Sequence, residues 1–298
     1  MQYSKLGKSA LKVSRIGFGC MSLNGDAKEN EKIIGRAIEL GINYFDTADL
    51  YESGENEVKV GILLKAKRNQ VIIATKVGNQ RRADGNGWDW NPGKRYILSA
   101  VEGSLKRLQT DYIDLYQLHG GTIEDPIDET IEAFEILKSQ GKIRNYGISS
   151  IRPNVIREYV QRSAMVSVMM QYSLLDRRPE EECLDLLQQN EIGVLSRGSL
   201  AQGLLVDKPA ADYLNRSAQE VSHAADIIRS ITSKSSSAAQ TAIRFVLQHQ
   251  ALTSAVMGIR TEAQLEDIAT AADFPLLSAQ EMDILRQSTS LQYYTAHR

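Results

Sequence analysis

Two hydrophobic periodicities alternate along most of the chain. Short apolar runs, rich in β-branched and aromatic residues, are followed by longer stretches in which apolar residues recur every three to four positions. The short runs are predicted strands at 15–18, 43–45, 71–75, 112–118, 143–148, 166–171, 193–196 and 254–257. Runs such as VIIAT and YIDLYQL show little alternation of polar and apolar residues, which is typical of parallel strands covered on both faces.

The longer stretches are predicted amphipathic helices. They lie at 28–40, 95–108, 126–139, 238–249 and 262–272. Gly41 and Gly141 follow two of them, where a residue in the left-handed conformation commonly ends a helix, and Pro126 suits a first helical turn. A short hairpin around Gly7 and Lys8 is expected at the N-terminus, and an extra helix at 278–290 precedes the C-terminal tail.

Eight strand-like runs with intervening helices predict an α/β fold, a single (β/α)8 TIM barrel over residues 1–298. There is no repeat of about 20–50 residues and no linker rich in Gly, Pro and Ser. Two stretches, 78–93 and 207–237, do not fit the repeating unit and are expected to be long loops after the third and seventh strands. Such loops usually serve binding, although tolerated insertions without a role remain the alternative.

Composition narrows the class of protein. The chain has 35 Lys and Arg against 37 Asp and Glu, which gives a formal charge of −2. This balance does not indicate binding to nucleic acid or to an anionic membrane, since both would favour an excess of positive charge. Its only cysteines, Cys20 and Cys183, argue against a disulfide framework. The polar N-terminus does not resemble a signal peptide and no apolar run is long enough for a membrane helix. A soluble cytoplasmic protein is therefore expected.

Polar residues at the ends of the predicted strands suggest chemistry. Asp46, Lys76 and His119 end three consecutive strands, and Tyr51 lies in the loop after the first of these. Catalytic side chains of a barrel lie at the carboxyl ends of its strands. A phenol is a weak acid, with an unperturbed pKa of about 10, but a nearby ammonium favours its ionised form. Tyr51 is thus expected to be a usable proton donor.

The remaining members of this set have complementary roles. Asp46 would fix the ammonium of Lys76, and His119 would donate a hydrogen bond to a carbonyl oxygen. Such a site protonates an oxygen while a nicotinamide cofactor delivers hydride to carbon, because side chains alone cannot supply hydride. Taken singly, each residue has a structural alternative: a buried ion pair, a packing tyrosine or a hydrogen-bonded histidine. Their convergence at adjacent strand ends favours the catalytic interpretation.

Two other kinds of site are not supported by the sequence. The run GFGCMS at 17–22 lacks the last glycine of a dinucleotide-binding fingerprint, and the next helix starts too late. The four histidines, His119, His223, His249 and His297, do not have the spacing of a zinc site, so no metal is expected.

Several motifs in order resemble the aldo-keto reductases over nearly the whole chain. They are IGFGCM at 16–21, INYFDTADLYESGENEVKVG at 42–61, VIIATKVG at 71–78, SLKRLQTDYIDLYQLH at 104–119, DPIDETIEAFEILKSQGKIRNYGIS at 125–149, QYSLLDR at 171–177, SLAQGLL at 199–205 and GIRTEAQLED at 258–267. The resemblance implies a barrel that binds NADPH or NADP+ without a Rossmann fold. It also implies that Asp46, Tyr51, Lys76 and His119 form a catalytic tetrad, the same set that the strand ends indicate.

The resemblance further implies a set of cofactor-binding residues. Ser149 and Gln171 would bind the nicotinamide carboxamide, and Tyr172 would stack on its ring. The segment from Ser196 to Leu200 and Gly203 would line the diphosphate, while Gly258, Arg260, Gln264 and Asp267 would hold the adenosine 2′-phosphate end. The full set is Gly19, Cys20, Met21, Asp46, Ser149, Ser150, Gln171, Tyr172, Ser196, Arg197, Gly198, Ser199, Leu200, Gln202, Gly203, Gly258, Arg260, Gln264 and Asp267.

The chain departs from the family pattern at a few positions. Ser150 stands where many members have Asn, and Arg197 with Gly198 replaces a more usual Tyr-Ser, which puts a cation near the diphosphate. Ile268 occupies a position that is often an adenine-contacting Asn. Gly120 and Gly121 follow the histidine where bulkier residues are common, which is expected to open the substrate pocket.

These observations predict an NADPH-dependent enzyme that reduces aldehydes or ketones, with a small carbonyl compound as its substrate. One alternative is a lyase that forms a Schiff base on Lys76; another is a nucleotide-sensing regulatory subunit of the same fold. No nucleic acid or membrane partner is expected. A monomer is expected for a closed barrel, with a homo-oligomer left open. Substrate identity depends on the loops 78–93, 120–125 and 207–237 and on the tail, whose conformation the sequence does not give.

Overall fold

A closed barrel of eight parallel strands forms the centre of the molecule. The computed structural model describes residues 1–298. In chain order the strands are β1 (Tyr3–Lys5), β2 (Lys12–Ser14), β3 (Ile16–Gly19), β4 (Tyr44–Asp46), β5 (Ile72–Val77), β6 (Asn79–Arg81), β7 (Trp88–Trp90), β8 (Ile113–Leu118), β9 (Ile143–Ser149), β10 (Ser167–Gln171), β11 (Gly193–Arg197) and β12 (Leu252–Gly258). The barrel order is β3, β4, β5, β8, β9, β10, β11 and β12, and β12 pairs with β3 to close it.

Ten helices connect and follow the strands. They are α1 (Ala27–Glu39), α2 (Glu55–Leu64), α3 (Lys94–Leu108), α4 (Ile127–Ser139), α5 (Pro153–Arg162), α6 (Cys183–Gln189), α7 (Ala218–Ile231), α8 (Ala238–Leu247), α9 (Glu262–Ala269) and α10 (Ala279–Gln287). The sequence fixes several of their starts locally. At α1, for example, Asp26 accepts a hydrogen bond from the Glu29 amide while the Glu29 carboxylate accepts one from the Asp26 amide.

The predicted (β/α)8 barrel is confirmed, with each of the eight predicted strands present to within about two residues. The predicted helices at 28–40, 95–108, 126–139, 238–249, 262–272 and 278–290 correspond to α1, α3, α4, α8, α9 and α10, although α9 already ends at Ala269. The helices α2, α5 and α6 were not predicted. The expectation that 207–237 is a loop was wrong in its second half, because α7 begins there at a capping box of Ser217 and Glu220.

The stretch 78–93 also has structure of its own. Its two ends pair as the antiparallel strands β6 and β7. The ring of Trp90 lies over Gly78 and Gly120, where an added Cβ would come within 2.6 Å and 3.4 Å of it, respectively. The Trp90 indole N–H donates to the Asp125 carboxylate at 3.0 Å. A paired hairpin, rather than an irregular loop, therefore borders the mouth of the barrel beside His119.

The N-terminal hairpin that the sequence predicts is present as β1 and β2 and covers the opposite end of the barrel. Leu6 and Val13 pack with the inward-facing side chains Tyr44, Leu115 and Leu195 of the barrel strands. Gly7 has φ +53°, and a Cβ there would lie 2.2 Å from the Val166 carbonyl oxygen, so only glycine fits this turn. Because this hairpin closes the barrel at the amino ends of its strands, the open end lies at their carboxyl ends.

The larger part of the core lies between strands and helices. Buried aliphatic and aromatic residues from every barrel strand face the helix layer there, including Phe18, Phe45 and Ile148. This layer explains the continuous apolar runs, because parallel strands are covered by the interior on one face and by helices on the other. No helix is long and apolar enough to span a membrane.

Candidate active site

An ion pair between Asp46 and Lys76 lies at the base of the open end. Asp46 ends β4 and Lys76 lies near the end of β5, and these strands are neighbours in the barrel. The Lys76 Nζ donates to Asp46 Oδ2 at 2.6 Å and to the Thr47 carbonyl oxygen at 2.8 Å. The exposed fractions are only 1% for Lys76 and 4% for Asp46. Gln117 on β8 donates a further hydrogen bond to Asp46 Oδ1 at 3.4 Å.

The electrostatics of this pair keep the lysine charged. Burial alone would lower the pKa of Lys76, but the Asp46 carboxylate and the Tyr51 oxygen outweigh burial and raise this pKa above its usual value. The ammonium is therefore a permanent positive charge at neutral pH. Its third partner is the phenolic oxygen of Tyr51, at 3.3 Å. Each hydrogen of the ammonium thus has an acceptor, and one of these acceptors faces the cleft.

Tyr51 reaches this position through an unusual turn. It starts a short 3-10 turn after β4, in which Glu52 and Ser53 have φ values of 48° and 59°. Positive φ in two consecutive residues that are not glycine is strained, and such strain is common where a side chain must be held at a functional site. The Tyr51 side chain is half-buried, with its ring bordering the cleft.

His119 follows β8 directly and stands edge-on to Tyr51. The two ring centroids are 5.9 Å apart with an interplanar angle of 84°. Burial, together with the positive charges of Lys76 and Arg197, lowers the pKa of His119 to about 3. The imidazole is therefore neutral at physiological pH, and its buried Nδ1 has no hydrogen-bond partner in the protein. A neutral imidazole still carries one N–H, which can donate to a substrate oxygen.

A cleft of about 460 Å³ opens over these side chains. Twelve residues line it: Met21, Tyr51, Lys76, His119, Gly120, Gly121, Ser149, Ser150, Ile151, Arg152, Met169 and Arg197. The cleft is thus the place where the candidate proton donor, its ammonium and the histidine meet. Ser149, Met169 and Arg197 line it from β9, β10 and β11, across the barrel mouth, where the sequence predicts cofactor binding.

The predicted cofactor-binding residues follow the strand order around the barrel. Ser149, Gln171, Ser196, Gly258 and Gly19 lie at the ends of β9, β10, β11, β12 and β3, five consecutive strands. The side chain of Gln171 is held by hydrogen bonds from its amide to Asp176 and Tyr213, each at 3.0 Å, and it accepts one from Arg197. The ends of these five strands form an arc, here called the strand-end arc, along which an extended ligand can lie as it leads away from the catalytic side chains.

Two of the predicted contacts do not fit the positions of their side chains. Tyr172 is 2% exposed and lies outside the cleft, where its hydroxyl donates to Glu180 at 2.8 Å and its ring packs near Phe245. Cys20 is fully buried, and its thiol faces the Phe18 carbonyl oxygen. The ring of Tyr172 cannot stack on a group in the cleft, and the thiol of Cys20 cannot reach one. Successive residues at a strand end point to opposite faces, so Tyr172 turns towards the helices when Gln171 faces the mouth.

The segment after β11 is suited to an anion. The consecutive backbone N–H groups of Gly198, Ser199 and Leu200 have no acceptor within the protein. The chain then turns through left-handed conformations at Gln202 (φ 60°) and Gly203 (φ 92°). Free amides in such a turn form a concave donor surface that binds phosphate groups. The exposed side chain of Arg197 adds a positive charge beside them. These residues fit the diphosphate of a nicotinamide dinucleotide.

The region around the start of α9 offers a second place for phosphate. The Arg260 side chain is exposed and forms no ion pair, while its backbone N–H donates to Gln264 at 3.0 Å. The Asp267 carboxylate is not free, because it accepts a hydrogen bond from Ser237 in the loop before α8. Ile268, the departure from the family pattern, is buried in the core. Arg260 is therefore the unpaired cation near the start of α9, and Asp267 connects this helix to the residue before α8.

Sequence reasoning missed three polar residues around the site. Gln117 lies on β8, two residues before His119, and donates a hydrogen bond to Asp46, a role that the strand alternation could have indicated. Asp49 lies within the motif that contains Asp46 and Tyr51, and its Oδ1 is buried without a partner. Arg152 lines the cleft from the loop before α5, and no sequence pattern marked it.

The residues of the protein form no cluster that could hold a metal ion.

Comparisons with known proteins agree with this geometry. The sequence model of the Aldo/keto reductase family matches residues 15–289. The protein named Uncharacterized oxidoreductase YqkF of Bacillus subtilis (strain 168) is 48% identical over 307 residues, with all of both chains covered. The NADH-specific methylglyoxal reductase of Escherichia coli (strain K12) is 35% identical over 72% of each chain. The holo form of aldo-keto reductase AKR11C1 from Bacillus halodurans is similar in structure, with a TM-score of 0.94 and 48% identity over 100% of this chain and 99% of that one.

Proposed function

Because this chain belongs to the aldo/keto reductase family of oxidoreductases, we propose that it reduces aldehydes, and some ketones, to alcohols with NADPH as the reductant. The observation that carries the proposal is the contact of 3.3 Å between the Tyr51 phenol and the buried Lys76 ammonium, at the floor of a cleft shared with neutral His119. This arrangement is suited to the transfer of a proton to a substrate oxygen.

The chain's own residues account for the proton and for the position of the substrate. When bound, a reduced nicotinamide supplies hydride to the carbonyl carbon. Tyr51 donates its phenolic proton to the carbonyl oxygen, and Lys76 stabilises the phenolate that remains. Asp46 holds the ammonium in place from the side away from the cleft. His119 donates its N–H to the same oxygen and so orients the carbonyl group. In alcohol oxidation the phenolate takes the proton back.

The choice of NADPH rests on Arg260. A guanidinium that is exposed and unpaired matches the 2′-phosphate, which NADH lacks. Its position at the edge of the strand-end arc, beyond the free amides after β11, suits the adenosine end of a dinucleotide. The relative from E. coli is described as specific for NADH, so the proposal of NADPH for this chain rests on Arg260 and not on that relative.

A lyase that forms a Schiff base on Lys76 is disfavoured. Attack on a carbonyl carbon requires the neutral amine, whereas the Asp46 carboxylate keeps this amine protonated. A nucleotide-sensing subunit would use the same cofactor groups without turnover. Steady-state measurements therefore separate it from the proposed reductase.

The test is NADPH consumption with a panel of aldehydes, ketones and sugars, using wild type, Tyr51→Phe and Tyr3→Phe. Tyr51→Phe removes the proton donor while Lys76 keeps its bonds to Asp46 and Thr47, so turnover is expected to fall by roughly 10²- to 10⁴-fold. NADPH binding, followed by fluorescence, should change little. Tyr3 lies on the hairpin at the closed end, where its hydroxyl donates to Gly41, and makes a matched control.

Two outcomes would contradict the proposal. Near-normal turnover in purified Tyr51→Phe would exclude the phenol as the proton donor. Tight cofactor binding by the wild type with no turnover on any carbonyl compound would instead indicate the sensing subunit.

A further inference from the structure

The cleft carries more positive charge than the chain as a whole. Three of its twelve lining residues, Lys76, Arg152 and Arg197, are cations, and none is an aspartate or a glutamate. Lys76 is neutralised by Asp46 beneath it. The two arginines form no ion pair, although the formal charge of the whole chain is −2. Two uncompensated charges therefore face the space where substrate and cofactor must bind.

The two arginines lie at different places in the cleft. Arg197 ends β11 beside the free amides of Gly198 to Leu200, which fit the diphosphate, and it donates to Gln171 at 3.0 Å. Arg152 comes from the loop between β9 and α5, on the side of Gly120 and Gly121 and therefore near His119. Arg197 is already suited to the cofactor, whereas no cofactor role accounts for Arg152.

A single hydrogen bond anchors the Arg152 guanidinium. Its Nη1 donates to the Gly121 carbonyl oxygen at 2.6 Å. The Nε–Nη2 edge has no acceptor in the protein, and this is the edge that binds a carboxylate with two parallel hydrogen bonds. The exposed carboxylate of Glu124 lies nearby, but no carboxylate oxygen of the protein lies within 4.0 Å of the guanidinium. The anchored side chain thus has a free, oriented donor edge in a partly buried position.

The anchor depends on the glycine pair after the histidine. Gly120 and Gly121 have φ values of 139° and 121°, which side chains rarely allow. In this conformation the Gly121 carbonyl oxygen accepts the hydrogen bond from Arg152. The Trp90 ring packs against Gly120 from outside. The departure Gly120-Gly121 thus permits the backbone conformation that fixes a cation in the cleft.

We propose that Arg152 binds an acidic group of the substrate, so that the preferred substrates are aldehydes that carry a carboxylate a few bonds from the carbonyl carbon. This inference rests on the proposed reductase function, because the carbonyl group must lie at Tyr51 and His119. The cleft then orients its substrate from two ends, the carbonyl oxygen at the phenol and the carboxylate at the guanidinium.

The experiment compares 4-carboxybenzaldehyde with its methyl ester, methyl 4-formylbenzoate, in wild type and Arg152→Met. The two aldehydes differ by one negative charge and share the same reacting group. For wild type, kcat/KM should be higher for the acid than for the ester. In Arg152→Met the acid-to-ester ratio should fall about 10- to 100-fold, as expected when a charge-assisted bond is lost. Arg152→Lys keeps the charge without the two-donor edge and should give an intermediate ratio.

Arg162→Met is the matched control. Arg162 lies at the other end of the same helix and pairs with Glu158 on the outer surface, so this variant loses the same charge away from the cleft. Its ratio should equal that of wild type. An equal change in Arg152→Met and Arg162→Met would mean that net charge alone matters, and it would overturn the proposal.

A binding measurement covers the case in which Arg152→Met disturbs the loop. Calorimetric titration of the cofactor-loaded protein with benzoate and with benzamide should show tighter binding of benzoate in wild type, and no such preference in Arg152→Met. Equal binding of both by wild type, or an unchanged ratio of kcat/KM in Arg152→Met, refutes the role of Arg152. If wild type reduces neither aldehyde nor any other carbonyl compound, the proposed function fails, while the benzoate titration still decides whether Arg152 binds a carboxylate.

Discussion

The buried ion pair of Asp46 and Lys76 makes a strong prediction about stability. Its charges are 2.6 Å apart and nearly inaccessible to water. At an effective dielectric constant of about 20, the attraction of two charges at this distance is roughly 6 kcal/mol before desolvation is subtracted. Removal of one partner leaves the other charge buried. Asp46→Asn and Lys76→Met are therefore each expected to lower the free energy of unfolding by about 3–5 kcal/mol.

The double variant Asp46→Asn, Lys76→Met should be much less destabilised than the sum of the two single variants. It removes both charges and leaves an amide and a thioether of similar volume, so its cost is expected to be about 1–2 kcal/mol. The coupling energy is thus several kcal/mol. Since the pKa of Lys76 is raised in the folded state, the attraction is lost as the pH rises through that higher value. Burial raises the pKa of Asp46, so the attraction is also lost as the pH falls through the pKa of this carboxyl group.

The assay is urea unfolding at pH 7, followed by fluorescence and by circular dichroism so that coincident transitions support a two-state analysis. The exposed ion pair of Arg82 and Asp89 on the β6–β7 hairpin is the control. Its distance is 2.7 Å, but both side chains are at least half exposed, so the same double-mutant cycle should give less than about 1 kcal/mol. Additive single effects at Asp46 and Lys76, or similar coupling energies in the two cycles, would refute the reasoning.

Three further predictions concern charge. Arg260→Ala should weaken NADPH binding by about 10- to 100-fold and NADH binding only slightly; equal weakening in fluorescence titrations would argue against a 2′-phosphate site. Burial, and then the Glu57 carboxylate, raise the pKa of Asp49 from 3.8 to about 7, so this group destabilises the fold as the pH rises from about 4 to 7. Asp49→Asn should therefore gain stability over wild type through that range, by at most about 4 kcal/mol at pH 8, and a difference in melting temperature that does not change with pH would contradict this. Because the pKa of His119 is lowered to about 3, kcat/KM should show no ionisation of this residue between pH 5 and 8; an acid limb near pH 6.5 that disappears in His119→Asn would show that the imidazole is charged.

The charge of the cleft differs in sign from the formal charge of the whole chain. The sequence has a formal charge of −2 and gave no reason to expect an anionic ligand beyond the cofactor. The fold separates the charges, since carboxylates pair with cations on the outer surface while Arg152 and Arg197 are left unpaired in the cleft. A concave site with like charges and low-dielectric walls focuses their field on a bound ligand.

Much of the fold could be predicted because its signals are local. A parallel strand between two apolar layers must be apolar on both faces, so runs such as 71–75 are recognisable without knowledge of their neighbours. The catalytic candidates were also accessible, because the barrel brings the ends of all its strands to one face. Helix α7 was missed although its capping box was visible, since the serine-rich sequence around it suggested a loop.

By itself, the sequence determined the order of strands and helices, the barrel and the set of polar residues at the strand ends, because hydrophobic periodicity and position along a strand are properties of the chain. Only the tertiary structure decided which of these side chains share a cleft. Tyr172 follows Gln171 and yet points into the helix layer, while Arg152 enters the cleft from a loop because the Gly121 carbonyl oxygen holds it there. The direction of a side chain at a strand end and the partners of a loop residue depend on segments distant in sequence, which no local pattern contains.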